Sequence, residues 1–149
     1  QKLVPFRRRF LSASLEGACR AVWQAAVRAA EQLRQELHIE IEEDPTCKKF
    51  VPPPIRNFEE LGILPDYVLQ ALANNNIQTP LPIQAQGLPL ILAGHNVIGL
   101  AQTGSGKTLA FLLPAVVHIE AQSEIEASEA TPIALVLAPT RELAIQINE

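Results

Sequence analysis

Cysteine is scarce in this chain: only Cys19 and Cys47 occur, with no CxxC pair and no histidine at metal-ligand spacing. That argues against a structural zinc and for a reducing, intracellular setting. Long apolar runs are also lacking. The best candidates, around 88–92 and 97–100, are broken by Gly94, His95 and Asn96 and fall well short of the roughly 18–20 residues a membrane span needs. A soluble protein without membrane contact is the reading. Positive charge is not in surplus, since the formal net charge is -4 and the pI about 5.4. Attraction of nucleic acid by gross electrostatics is thereby excluded, and any such contact has to be local. No internal repeat or long low-complexity tract is present, which removes solenoid architectures.

What is there fits one globular domain with a core: 149 residues, 48% of them hydrophobic, with a mean hydropathy of +0.12. Charge is distributed unevenly. Lys2, Arg7, Arg8, Arg9, Arg20, Arg28 and Arg34 crowd the start, and Glu36, Glu40, Glu42, Glu43 and Asp44 follow as a cluster. The first part therefore reads as a separate segment. Its opening, QKLVPFRRRFLSAS, has the composition of a transit peptide, although the chain begins with Gln and its natural start is not visible.

From Ser14 to Leu37 there is no proline, and Leu15, Cys19, Val22, Trp23, Ala26 and Ala30 recur at helical spacing, which predicts an amphipathic helix. A packing or linking extension with Trp23 as its anchor is favoured over a partner-binding helix. Pro45 and the run Pro52, Pro53, Pro54 stop that helix and favour an extended linker. The boundary is placed here, giving an extension over 1–57 and a domain over 58–149. Pro65 and Pro82 each suit the first turn of a helix, predicted over 66–72 and 83–92. A short strand at 97–100, a glycine turn, a helix over 107–119, an acidic connection at 120–131 and a second apolar strand at 133–138 complete a parallel β-α-β unit. The fold class is α/β.

The strongest chemical signal is Ala101-Gln102-Thr103-Gly104-Ser105-Gly106-Lys107-Thr108, placed after the expected strand and opening the expected helix. Gly104 and Gly106 let successive N–H groups converge on phosphate oxygens, and the positive end of the helix adds to the attraction. Lys107 is the only charged residue between Tyr67 and Ile119. A lysine at a helix N-terminus opposes the helix dipole, so an anion is expected to compensate it. Lys107 is expected on the β and γ phosphates of ATP or GTP, with the Thr108 hydroxyl on Mg²⁺. The competing reading is a chance glycine turn with a solvated lysine.

The generic phosphate loop has glycine where this chain has Ala101. The form Ala-x-Thr-Gly-Ser-Gly-Lys-Thr resembles that of DEAD-box RNA helicases, and 101–108 matches it throughout. Pro80-Leu81-Pro82-Ile83-Gln84 is similar to the family's Q motif, which implies that Gln84 reads the adenine edge with its amide. Phe58 stands where the family places an isolated aromatic on the adenine face, and Ile77 falls in the same cofactor-binding block. Pro139-Thr140-Arg141-Glu142-Leu143-Ala144 resembles motif Ia, implying that Pro139, Thr140 and Arg141 meet the RNA backbone. Thr140 can cap the following helix, leaving amides and a guanidinium directed at one anion. The lead-in RQELHIEI and VPPPIRNF is similar to that of members related to splicing helicases. Asn76, Ile77 and Leu81 depart from the usual Q motif; Leu81 removes a hydroxyl and Ile77 a flat ring, and each of these two changes weakens a specific contact without touching the phosphate cradle.

The resemblance implies a RecA-like domain, a parallel sheet with helices on both faces, preceded by the helical extension. It implies ATP and Mg²⁺ as cofactors, RNA as a sequence-independent partner, ATP hydrolysis coupled to unwinding, and a nuclear or cytoplasmic location with the nucleus preferred. No Asp-Glu-Ala-Asp block lies within the 149 residues, so this segment alone is expected not to turn over. Two alternatives stay open: a non-catalytic nucleotide-binding or interaction fragment that uses the 14–37 helix, and a different phosphate-loop NTPase.

Overall fold

The computed structural model describes residues 13–42, 51–123 and 131–148. The arginine-rich opening over 1–12, the acidic and proline positions Glu43, Asp44 and Pro45, Cys47, and the connection over 124–130 lie outside the described residues. Five α-helices follow one another: α1 (Ala13–Glu36), α2 (Asp66–Asn74), α3 (Pro82–Leu92), α4 (Lys107–Glu120) and α5 (Arg141–Asn148), with a short 3₁₀ turn at Phe58–Leu61. α1 to α4 lie within two residues of the spans expected for them, and α5 follows Thr140, where a capped helix was expected.

Each start has a local cause. Asn57 opens the 3₁₀ turn by accepting a hydrogen bond from the Glu60 N–H, and Gly62 closes it at φ 62°, a conformation costly for residues with a Cβ. Pro82 occupies the first position of α3, where its missing N–H costs nothing. The Thr140 hydroxyl accepts from the Leu143 N–H at 3.3 Å, so the expected cap of α5 is made.

The core consists of Ile55, Phe58, Leu64, Val68, Leu72, Leu88 and Leu113, with Leu61, Leu69, Ile77, Leu109, Val116 and Val117 packed against it. α3 lies against α4. Gly87 faces Ala110 across this contact, and a Cβ at Gly87 would meet that of Ala110 at an ordinary packing distance of 3.7 Å. α3 also contains Pro89, which has no N–H to give to the carbonyl four residues earlier. That carbonyl, Ala85 O, instead accepts from the Ile55 N–H at 2.9 Å. The end of the proline-rich lead-in is thus stitched to the domain rather than hanging from it, and Pro54 and Ile55 are both buried.

Two expectations are corrected. The apolar segments 97–100 and 133–138 do not form strands: no β-strand occurs among the described residues, and Ile98, Leu100, Leu135 and Leu137 are exposed. A parallel strand takes its hydrogen bonds from neighbours on its edges, and the described residues bring no such neighbour to either segment. The expected parallel sheet is therefore absent from them. Trp23 is not the anchor of α1, being 53% exposed. The helix is held at its other end, where Leu33 is buried and Arg34 makes hydrogen bonds to Gln86 and Pro52.

Candidate nucleotide-binding site

The glycine turn is built as its sequence requires. Gly104 and Gly106 both have φ 79°, the left-handed region that residues with a Cβ avoid. Gly106 is constrained twice, because a Cβ added there would collide with the Gln84 amide and crowd Leu81. α4 begins immediately afterwards with Lys107, without a side-chain cap and without an acidic residue in its first turn. An uncapped helix start presents unpaired N–H groups and a positive dipole end. The 3₁₀ turn and α5, by contrast, each have a side-chain cap and an acid in the first turn.

The Lys107 ammonium folds back over the loop and donates to the carbonyls of Ala101 and Gln102 at 2.5 Å each, with Ser105 Oγ at 3.4 Å. Among the described residues no carboxylate pairs with it; the ion pairs are Arg34–Glu31 and Arg56–Glu36. A lysine satisfied only by neutral oxygens, beside an uncapped helix N-terminus, is a donor set suited to phosphate. The Thr108 hydroxyl, next along α4, has the hard oxygen chemistry that Mg²⁺ takes.

Gln84 is brought to this loop from α3. It is 1% exposed, and its amide is used twice. Oε1 accepts from the Leu81 N–H at 3.0 Å, and Nε2 donates to the Gly106 carbonyl at 3.0 Å. The first bond is the glutamine half of a capping box at the third helical position. Gln84 thereby joins the start of α3 to the phosphate loop, a role the residue's position after Pro82 could have signalled.

The remaining positions divide. Ala101, Gln102, Thr103 and Gly104 are exposed along the loop, and Ser105, Gly106, Lys107 and Thr108 are half-buried. Ile77 is half-buried against the core. Phe58 is only 2% exposed, its ring enclosed in the core cluster, so in this conformation it presents no face on which a base could stack. Pro139, Thr140 and Arg141 are exposed at the start of α5. Gln86 is a buried residue that sequence reasoning passed over. Its signal was a glutamine inside an otherwise apolar helix, which has to find partners for a buried amide.

A glycine turn that ends in lysine and threonine and opens a helix places the chain among phosphate-loop proteins. Residues 81–149 match the family model of the DEAD/DEAH box helicases. The whole chain is 43% identical to a rice protein named DEAD-box ATP-dependent RNA helicase 30, covering 21% of that relative. Over 148 residues it is 43% identical to the ATP-dependent RNA helicase DBP2 of Candida albicans, covering 24% of it. Among solved structures, the yeast DEAD-box splicing factor Prp28 superposes with a TM-score of 0.68 at 35% identity, over 80% of this chain and 27% of that one. Prp28 from Chaetomium thermophilum bound to ADP gives 0.67 at 40% identity, over 80% and 28%. The chain belongs to the DEAD-box helicase family and spans about a quarter or less of these relatives' length. Among the described residues no helix is long and apolar enough to cross a membrane, and no group of three or more His, Cys, Asp or Glu could hold a metal ion.

Proposed function

We propose that this segment forms the nucleotide-entry part of an ATP-dependent RNA helicase, whose intact protein couples ATP hydrolysis to RNA unwinding or remodelling. The single observation that carries this reading is Lys107, held only by neutral oxygens at the mouth of a glycine turn that opens an uncapped helix. In this reading the backbone N–H groups of 103–108 and the Lys107 ammonium bind the phosphates of ATP, and Thr108 holds Mg²⁺. Gln84, held by Leu81 and Gly106, offers the adenine edge the second N–H and the second lone pair of its amide. Bound ATP supplies the phosphoryl bond whose cleavage drives the work.

Pro139, Thr140 and Arg141 serve the second substrate. The exposed guanidinium and the amides of α5's first turn would contact a backbone phosphate, which gives attachment to RNA without reading bases. The apolar segments 97–100 and 133–138 become strands of a RecA-like parallel sheet when further strands of the intact protein lie beside them. Their near-continuous hydrophobicity is that of strands buried on both faces. A nuclear site of action fits the similarity to the splicing factor Prp28.

The test is titration of Mg·ATP into the intact protein that carries this segment, compared with its Lys107→Ala variant. Loss of a charge-assisted contact worth about 1.5–3 kcal/mol lowers affinity roughly 10- to 100-fold. An intact protein that binds no Mg·ATP, or an unchanged affinity in the variant, overturns the reading. The 149-residue chain by itself is expected to show no RNA-stimulated hydrolysis in a phosphate-release assay, because it contains no Asp-Glu-Ala-Asp block to order the metal and the attacking water.

A further inference from the structure

Three consecutive residues of α3 are committed in two directions. Gln84 reaches the phosphate loop through the Gly106 carbonyl. Ala85 and Gln86 are bound by the segment that precedes the domain. The Ile55 N–H occupies the Ala85 carbonyl that Pro89 leaves open. The Arg34 guanidinium donates from Nε to Gln86 Oε1 at 2.9 Å, from a terminal nitrogen to the Pro52 carbonyl at 3.2 Å, and from the other to Glu31 at 3.3 Å. Gln86 closes the ring by donating from Nε2 to the same Pro52 carbonyl at 3.0 Å. It is 4% exposed, so its amide has no water to fall back on.

We propose that Arg34, Gln86 and the Pro52 carbonyl form a positioning latch that sets α3 against the phosphate loop, making Arg34 and the stretch over 52–55 determinants of adenine selectivity. A helix moves as a rigid unit over a turn. A shift released at residues 85 and 86 therefore displaces Gln84, whose contacts to Leu81 and Gly106 leave little slack. Gly106 is equally intolerant, since a Cβ there would strike the Gln84 amide. Arg34 suits this task better than lysine would, because one planar fork serves Gln86, Pro52 and Glu31 at once. The proposal rests on the nucleotide-binding reading above. It adds that residues remote from the nucleotide, which touch neither base nor phosphate, tune which base is accepted.

The test uses the intact protein carrying this segment, titrated with fluorescent N-methylanthraniloyl ADP and GDP, as wild type, Arg34→Met, Gln86→Met and the double variant. The expected result is a fall of about tenfold in ADP affinity for each single variant, the scale of one lost hydrogen bond to a charged group. GDP affinity changes much less, and the double variant falls no further than the singles because the residues act together. Arg34→Lys restores only part of the ADP affinity. Equal losses for ADP and GDP, or no loss, overturn the latch, since a purely structural effect moves both nucleotides alike. If the wild type binds neither nucleotide, the functional reading fails, and the latch is judged by amide hydrogen exchange instead. Faster exchange over 101–108 in Arg34→Met and Arg34→Lys supports it, and unchanged exchange overturns it.

Discussion

Leu88 on α3 and Ile98 in the segment before the phosphate loop are close in sequence and alike in hydrophobicity, yet the first is 0% exposed and the second 90%. The same contrast separates Leu113 on α4, buried, from Leu137 in the segment before α5, exposed. A helix satisfies its own N–H and C=O groups, so Leu88 needs only an apolar surface, which Leu72 and Leu113 provide. An extended segment has to satisfy its backbone with neighbours before its side chains can leave water. Apolar character is therefore necessary for burial in both regions, but backbone pairing decides which region achieves it.

The largest effect that tests this contrast comes from truncating the two residues themselves. Leu88→Ala is expected to destabilise the chain by about 2–5 kcal/mol, the cost of removing a fully buried leucine. Ile98→Ala is expected to change stability by less than about 0.5 kcal/mol in the same chain. Equilibrium urea unfolding of both variants checks this, and similar losses would break the comparison. In the intact protein, neighbouring strands over 97–100 would raise the cost of Ile98→Ala toward that of Leu88→Ala.

A smaller effect separates the two helix starts that face the proposed substrates. α5 is capped by Thr140, whereas α4 has no side-chain cap. Thr140→Ala is expected to cost α5 about 0.5–2 kcal/mol, seen as faster amide exchange over 141–148 and unchanged exchange over 107–120. A uniform change across both helices would show that the cap does not act locally.

The smallest effect concerns the tie between α2 and the end of α4. The Tyr67 hydroxyl donates to Glu120 at 2.7 Å, and this hydrogen bond holds the phenol above its usual pKa of 10.0, helped by slight desolvation and the Glu120 charge. The raised value favours the protonated, bonded form. The link is therefore complete below the ordinary phenol pKa and is lost as pH rises through the higher folded value. Tyr67 is the only tyrosine, so absorbance at the tyrosinate band reports it alone. The midpoint is expected above 10.0, and Glu120→Ala should return it to the ordinary range.

Much of the helical framework was legible because its signals are local. Pro65, Pro82 and the spacing of apolar residues mark α2 and α3, and Thr140 marks the cap of α5. The glycine turn was legible for the same reason, since Gly104 and Gly106 set their left-handed backbone locally and α4 opens at the next residue. Trp23 was misjudged as the anchor of α1, and Gln86 was missed. Whether Trp23 anchors α1, or Phe58 faces a base or the core, depends on surfaces supplied by distant segments. Arg34 and Gln86 stand 52 positions apart, and nothing in either local stretch announces the other.

The amino-acid order by itself determined where helices start and stop, where the glycine turn falls, and which family the motifs resemble, because caps, prolines and glycines act within a turn of where they stand. Tertiary structure alone decided that Gln84 spends its amide on Leu81 and Gly106, that the lead-in closes the gap Pro89 leaves in α3, and that two apolar segments remain unpaired. Each of those outcomes is a hydrogen bond made or not made across the fold, and the partner's presence, not the residue's character, settles it.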